Sequence, residues 1–276
     1  MSRNDSELNA PVGVDATRAS VARVYDALLG GKDNYEVDRA VAHELQRAMP
    51  EVADGAIANR RFLIRVCRFL AGQAGIQQYL DCGSGLPTAE NTHQVVHRHQ
   101  SDARVVYVDN DPVVLAHGRA LLEEDERTRL IDADVFEPAS VLDNDIVRSH
   151  LDFSEPIAVL MLSILHNHKG DRGRPAEIIR EYVAAVPSGS YIAVSHLLDP
   201  EGEDTDARRA VDEVLKRGSL KGATFRTRAE IEEFFPGLEL VEPGLVLAAE
   251  WWEDGPRTTP LNLGQRLYMG GVARKP

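Results

Sequence analysis

The chain has 276 residues, enough to bury a full core, and its 43% hydrophobic and 27% charged content is that of an ordinary globule. Its 44 acidic against 31 basic side chains give a net charge of −13, which repels polyphosphate, and no basic run is longer than "NRRFLIR", so nucleic acid is not the expected substrate. Cys67 and Cys82 are too few for a disulfide framework or a thiolate metal cage, and no stretch approaches the ~18 uninterrupted apolar residues of a membrane span; with the polar start "MSRNDSELNAPVGVD", this places the expected protein in the cytoplasm, with reduced thiols and no metal.

In chain order, residues 1–15 read as a disordered tail. Helical apolar spacing follows over 16–30, 36–49 and 51–72, with Pro50 and Asp54 marking breaks, so 16–73 is expected to be a helical N-terminal extension. The pattern then changes. "QQYLDCG" (77–83), "ARVVYVDND" (103–111), "RLIDADV" (129–135), "PIAVLMLSIL" (156–165) and "GSYIAVSHL" (189–197) read as strands, with helices near 88–100, 112–125, 138–149 and 174–186 between them. Strands that are apolar throughout and alternate with helices predict a parallel sheet covered on both faces, because a sheet with one wet face would alternate polar and apolar residues. Helices near 204–217 and 227–234 and strands "LELVEPG" (238–244) and "LYMGGVARK" (267–275) complete a doubly wound, seven-stranded α/β domain over 74–276. The connection between the last two strands carries Trp251 and Trp252 and is long enough to fold over a pocket.

Sheets of this kind bind ligands at the carboxyl ends of their strands. At the first such end, "LDCGSGLPT", Gly83 and Gly85 lack a Cβ and let the backbone turn tightly against a ligand. A dinucleotide fingerprint would need glycine at 88, where Thr88 stands, and would disfavour Asp81; a carboxylate repels pyrophosphate but attracts an ammonium or sulfonium. Asp109, at the second strand end, is placed to accept ribose hydroxyls, while Asp111 before Pro112 reads as a helix cap. At the third end Asp134 can receive an adenine amine, with Val135 or Phe136 against the ring; Asp132 is as compatible with facing solvent.

Acidic ends on three successive strands, with G-x-G at the first, resemble the class I S-adenosylmethionine-dependent methyltransferases. More narrowly, "YDALLGGKDNYEVDR", "LDCGSGLPTAENTHQVV", "ARVVYVDNDPVVLAHGRALL" and "GSYIAVSHL" are similar to an actinobacterial S-adenosyl methyltransferase family formerly filed as a domain of unknown function, from about residue 17 to the end. The resemblance implies a Rossmann-like sheet. It also implies that Asp81, Gly83 and Gly85 surround the amino-acid part of S-adenosylmethionine, that Asp109 with Asn110 meets the ribose and Asp134 with Val135 the adenine, and that Ser163 lies alongside. It implies no settled acceptor.

In "YDALLGGKDNYEVDR" the glycines can end one helix and Asp33 or Asn34 can cap the next. Capping does not require the flanking lysine and tyrosine. The expectation is a lid across the strand ends, with Tyr25, Lys32, Asn34 and Tyr35 facing cofactor or acceptor and Lys32 available to the methionyl carboxylate. His166, just past the fourth strand, is either a general base for the acceptor or a residue packed beside the cofactor, since methyl transfer from a sulfonium often needs little beyond alignment. His93 and His97 in "HQVVH" lack the glutamate of a zinc peptidase and read as a solvated or packed face.

The expected protein is thus a methyltransferase that takes S-adenosylmethionine, releases S-adenosyl-L-homocysteine, and aligns a small-molecule acceptor near His166 and Trp251 or Trp252. The alternatives are a regulatory protein that binds the cofactor without transfer and a nicotinamide oxidoreductase, the latter disfavoured by Asp81 and Thr88. Oligomeric state is not legible.

Overall fold

The computed structural model describes residues 14–87, 90–121, 126–202, 204–217 and 222–276; the expected tail up to residue 13, and Thr88, lie outside them. Three helices come first: α1 (Val21–Leu28), α2 (Glu36–Ala48) and α3 (Val52–Gly72). The alternating part follows as β1 (Gln78–Cys82), α4 (Thr92–His97), β2 (Arg104–Asp109), α5 (Pro112–Leu121), β3 (Thr128–Asp132), α6 (Pro138–Leu142), α7 (Asp145–His150), β4 (Ala158–Leu162), α8 (Arg174–Ala185) and β5 (Tyr191–Leu197). The chain ends with α9 (Thr205–Arg217), α10 (Arg228–Glu232), β6 (Glu239–Leu240), β7 (Val246–Leu247), α11 (Leu263–Arg266) and β8 (Tyr268–Arg274).

The sheet runs β3-β2-β1-β4-β5-β8-β6, parallel through β5 and antiparallel at β8, with β7 also paired to β8. This is the class I methyltransferase order, with eight strands rather than the seven expected: the 238–244 run forms a strand only at β6, and the short β7 beyond it is an additional one. Val241 N still donates to Val272 O of β8 at 2.8 Å, Pro243 has no N–H to donate, and pairing resumes at Val246. The expected 138–149 helix is two, because the Asn144 side chain accepts from Ile146 N at 2.9 Å and starts a new helix.

β1 and β4 are buried along their whole length, so each face must be covered. Tyr79, Val105 and Tyr107 point into one apolar cluster and Leu80, Cys82, Val106 and Val108 into the other, the period of two that a pleated strand imposes. On α3 the buried positions include Asn59, Phe62, Leu63, Val66, Phe69 and Leu70, a stripe laid on the Tyr79 side of the sheet. A third cluster joins Val24, Leu45 and Met49 of the first two helices to Leu197, Val211, Phe225 and Leu267. It fixes α1 and α2 over the carboxyl end of β5.

The α1–α2 corner is built around two carboxylates. Asp38 is fully buried: its oxygens accept from Arg23 Nε (2.8 Å), Tyr35 N (2.8 Å) and Ser20 N (3.1 Å). Asp26 accepts from Asp33 N (3.0 Å) and Asn34 Nδ2 (2.7 Å), and a Cβ on Gly31 would overlap its carboxylate. The G-G-K-D-N segment is therefore a turn wrapped closely around Asp26.

Candidate functional site

At the carboxyl end of the parallel strands lies a cavity of about 410 Å³. Its wall takes Asp81, Gly83 and Gly85 from the β1 end, Asp109 and Asn110 from the β2 end, Phe136 from beyond β3, and Ser163, Ile164 and His166 from beyond β4. The opposite wall is helical: Val24, Tyr25, Asp26, Leu28 and Leu29 around α1, Leu45 and Met49 at α2, and Asn59, Arg60 and Leu63 from α3.

Gly83 (φ +79°) and Gly85 (φ +65°) occupy the left-handed region. A Cβ on Gly83 would run into the Ile164 side chain, whereas nothing stands beside Gly85, so the second glycine leaves open space at the cavity. Asp81 is buried and accepts from Thr92 Oγ1 at 2.6 Å. Burial raises its pKa to about 6, against the Thr92 hydrogen bond and the nearby Arg60, with Asp109 adding to the rise.

Both oxygens of Asp109 hold backbone: Oδ2 accepts from Gly85 N and Oδ1 from Asn110 N and Asp111 N, each at 2.9 Å. One carboxylate thus ties the glycine turn to the next strand end, with lone-pair capacity left for a hydroxyl. Burial raises its pKa despite those amides. Asp111 caps α5, accepting from Val113 N at 2.8 Å.

Not every expected residue reaches the wall. Asp134 Oδ1 accepts from Phe136 N at 2.9 Å, and it is Phe136, not Asp134 or Val135, that meets the cavity; Asp132 is exposed. Tyr25 lines the cavity, its hydroxyl donating to Ala56 O (3.0 Å) and accepting from Asn59 Nδ2 (2.9 Å). Asn59 Oδ1 in turn accepts from Ser195 Oγ at 2.5 Å. Lys32 is exposed, Asn34 is held by Asp26, and Tyr35 stacks under Arg23 at 5.1 Å; none of the three lines the cavity. The cation that does is Arg60 of α3, alone among the described residues and hydrogen-bonded to Glu90 O.

Trp251 and Trp252 correct another expectation. They stack on each other at 5.4 Å and pack against Phe69, and Trp251 also meets Phe62, on the covered face of the sheet away from the cavity. Arg65 fixes this connection by donating to Trp251 O (2.6 Å) and Ala248 O (2.7 Å). His93 is packed, with Nδ1 2.8 Å from the Tyr107 hydroxyl, and His97 Nε2 lies 2.8 Å from Ala103 O. Among the described residues no cluster of His, Cys, Asp and Glu could hold a metal, and no helix is long and apolar enough to cross a membrane.

His166 lines the cavity on a short 3-10 turn, Leu165–Asn167, and is 5% exposed. Its Nδ1 is buried with no hydrogen-bond partner among the described residues. Burial holds the imidazole well below the usual histidine range, and His196, Lys169 and Arg226 push it the same way. His196 packs edge-on at 5.4 Å. Arg226 Nη1 lies 3.1 Å from His196 Nε2, and His196 Nδ1 2.8 Å from Leu197 O, so His196 is neutral with its proton on Nδ1.

The sheet order and the placement of this cavity define a class I methyltransferase. The profile of the S-adenosyl methyltransferase family matches residues 7–276, and the chain belongs to that family; it is an S-adenosylmethionine-dependent methyltransferase. A protein of Thermobifida fusca YX, provisionally described as a methyltransferase, is 43% identical with a TM-score of 0.90 over 97% of this chain and 99% of its own. A DUF574 family protein from Streptomyces avermitilis MA-4680 is 38% identical with a TM-score of 0.89 over 95% and 99%. The N-methyltransferase NodS from Bradyrhizobium japonicum WM9, solved with S-adenosyl-L-homocysteine, is 13% identical with a TM-score of 0.50 over 92% and 99%, a likeness of fold alone. No curated protein matches the chain.

Proposed function

We propose that the cavity under α1 and α2 binds S-adenosylmethionine and passes its methyl group to a small-molecule acceptor, releasing S-adenosyl-L-homocysteine. One observation carries the reading: Asp81, Gly83, Gly85, Asp109 and Asn110 line one cavity together with Ser163 and His166. The donor set fits the ligand. Four carboxylates (Asp26, Asp81, Asp109 and Asp111) and one guanidinium (Arg60) suit a molecule with ammonium and sulfonium charges and a single carboxylate.

In this reading Asp81 takes the methionyl ammonium, and Arg60, in place of the expected Lys32, takes the carboxylate. Asp109 accepts a ribose hydroxyl, and Phe136 covers the adenine beside Asp134. When bound, the sulfonium supplies an electrophilic methyl group. The chain's own contribution is to hold that methyl toward Ser163 and His166, to exclude water with α1 and α2, and to offer His166 for a proton leaving the acceptor.

Calorimetric titration with S-adenosyl-L-homocysteine tests the site. The wild-type chain should bind it, and Asp109→Ala should weaken binding by about tenfold to a hundredfold, because a charge-assisted hydrogen bond and the anchor of the glycine turn go together. Equal affinity in the two proteins would rule out this placement of the nucleoside.

A further inference from the structure

The cavity is electrically lopsided. Its ionised groups cluster at the ends of β1 and β2: Asp81, Asp109 and Asp111 belong to those ends, Arg60 acts on Asp81 from α3, and Asp26 lies within reach of His117 on α5. The half at the ends of β4, β5 and β8 is different. Leu45, Met49, Leu197, Leu215, Phe225 and Leu267 wall it, and among the described residues no charged side chain joins them. The polar groups here are mostly engaged: Tyr25, Asn59 and Ser195 bond in series, and Tyr268 bonds Ser163. His166 is the exception, its Nδ1 buried without a partner among the described residues.

We propose that the acceptor is an uncharged, largely apolar molecule of the phenol class, seated in this half with its hydroxyl against His166; the proposal rests on the reading of the cavity as the methyl-transfer site. An ammonium acceptor would bury its charge where no carboxylate lines the wall, and a carboxylate acceptor would find no cation on the wall itself, the nearby Lys169 and Arg226 being bonded to Gly222 O and to His196 and Arg172 O. A neutral hydroxyl needs one acceptor, and the neutral imidazole of His166, on the cavity wall, can be that acceptor. An imidazole held neutral by burial, with His196 and Arg226 alongside, is a weak base, so it suits an acid near the ~10 of a phenol rather than an aliphatic alcohol. In the step this implies, the acceptor oxygen forms a bond to the methyl carbon, the carbon–sulfur bond breaks with its pair going to sulfur, and the hydroxyl proton passes to the imidazole. The products are an aryl methyl ether, a neutral thioether and an imidazolium that returns its proton to solvent.

The test compares three probes of one size, naphthol, naphthoate and naphthylmethylamine, titrated into the full-length protein saturated with S-adenosyl-L-homocysteine. Naphthol should bind at least about tenfold more tightly than either charged probe. Leu215→Glu, a half-buried site on α9 that can carry a carboxylate, should reverse the order in favour of the ammonium, with the S-adenosyl-L-homocysteine titration reporting that the variant is folded. A charged probe that binds the wild-type protein as tightly as naphthol, absence of naphthol binding, or an order that Leu215→Glu leaves unmoved would each overturn the acceptor class. Failure of S-adenosyl-L-homocysteine itself to bind would instead remove the methyl-transfer site on which the proposal stands.

Discussion

Asp81 carries a conflict that the ligand can resolve. Its carboxyl is buried with a single hydroxyl donor, and its pKa stands at about 6. A carboxyl whose folded pKa lies above its unfolded value takes up protons on folding, so its contribution to stability is fully present below about 4 and is lost as pH rises through about 6. Cofactor binding runs the other way, because the ammonium needs the carboxylate. Affinity for S-adenosyl-L-homocysteine should therefore fall as pH drops from 7 through about 6, and Asp81→Asn should flatten that dependence, weaken binding at pH 7.5, and stabilise the empty protein by roughly 2 kcal/mol in a urea titration. A wild-type pH profile shared by the variant would show that another group sets the acid limb. Arg60 gives a second comparison: Arg60→Gln should cost about tenfold in affinity for S-adenosyl-L-homocysteine and little for 5′-methylthioadenosine, which lacks the amino acid, whereas Lys32→Gln should leave both unchanged. Equal losses for both ligands at Arg60 would place it elsewhere than at the carboxylate. Asp81 and Asp109 were legible in sequence because each sits at a fixed offset from its own strand. Arg60 and Asn59 were not, since their meaning depends on which face of a long helix the sheet covers; the available signal was Asn59, a polar residue at a spacing shared with the apolar positions 62, 63, 66 and 70, with Arg60 beside it.

At the level of elements, most helices and strands fell within a few residues of their sequence patterns, because burial on both faces imposes long apolar runs on β1, β2, β4 and β5. The failures have local causes: Asn144 starts a second helix, and Pro243, with no N–H to donate, stands between the short strands β6 and β7. The α1–α2 corner is subtler. Of Tyr25, Lys32, Asn34 and Tyr35, expected to face a ligand, only Tyr25 lines the cavity; Asn34 and the backbone of Asp33 and Tyr35 serve Asp26 and Asp38, two buried acids, the second also bonded by Arg23 and Ser20. That arrangement ties α1, the loop and the start of α2 into one unit. Asp38→Asn leaves Arg23 buried without its counter-charge, a loss of about 3–5 kcal/mol, more than a two-helix segment can absorb without opening. Hydrogen exchange should then accelerate over 21–48 while β1 and β4 keep their protection, and S-adenosyl-L-homocysteine affinity should drop with it. In the wild-type protein the same ligand should slow exchange across 25–36. Protection of 21–48 unaffected by both changes would mean that the two helices do not act as a cover.

For the whole molecule the question is where the catalytic body begins. Sequence periodicity grouped α3 with the first two helices, since all three precede the sheet, but its partners differ. Phe62, Leu63, Val66, Phe69 and Leu70 of α3 are buried in the cluster that contains Tyr79, Tyr107 and Trp251, and Arg65 bonds to the carbonyls of Ala248 and Trp251. At about 1.5–3 kcal/mol for each of five large apolar side chains, that helix contributes on the order of 10 kcal/mol, comparable with the entire stability of an ordinary domain. The first two helices add fewer: Val24, Leu45 and Met49, with Ala42, against Leu197, Phe225 and Leu267. We therefore propose that the autonomous unit starts at α3 rather than at residue 74. A chain of residues 51–276 should unfold cooperatively on heating, at lower temperature than the full protein and without affinity for S-adenosyl-L-homocysteine, because one wall of the cavity has gone. A chain of residues 74–276 should show no cooperative transition, since one face of a sheet buried on both sides would be left open to water. A cooperative transition in the shorter chain would return α3 to the appendage and make the sheet self-sufficient.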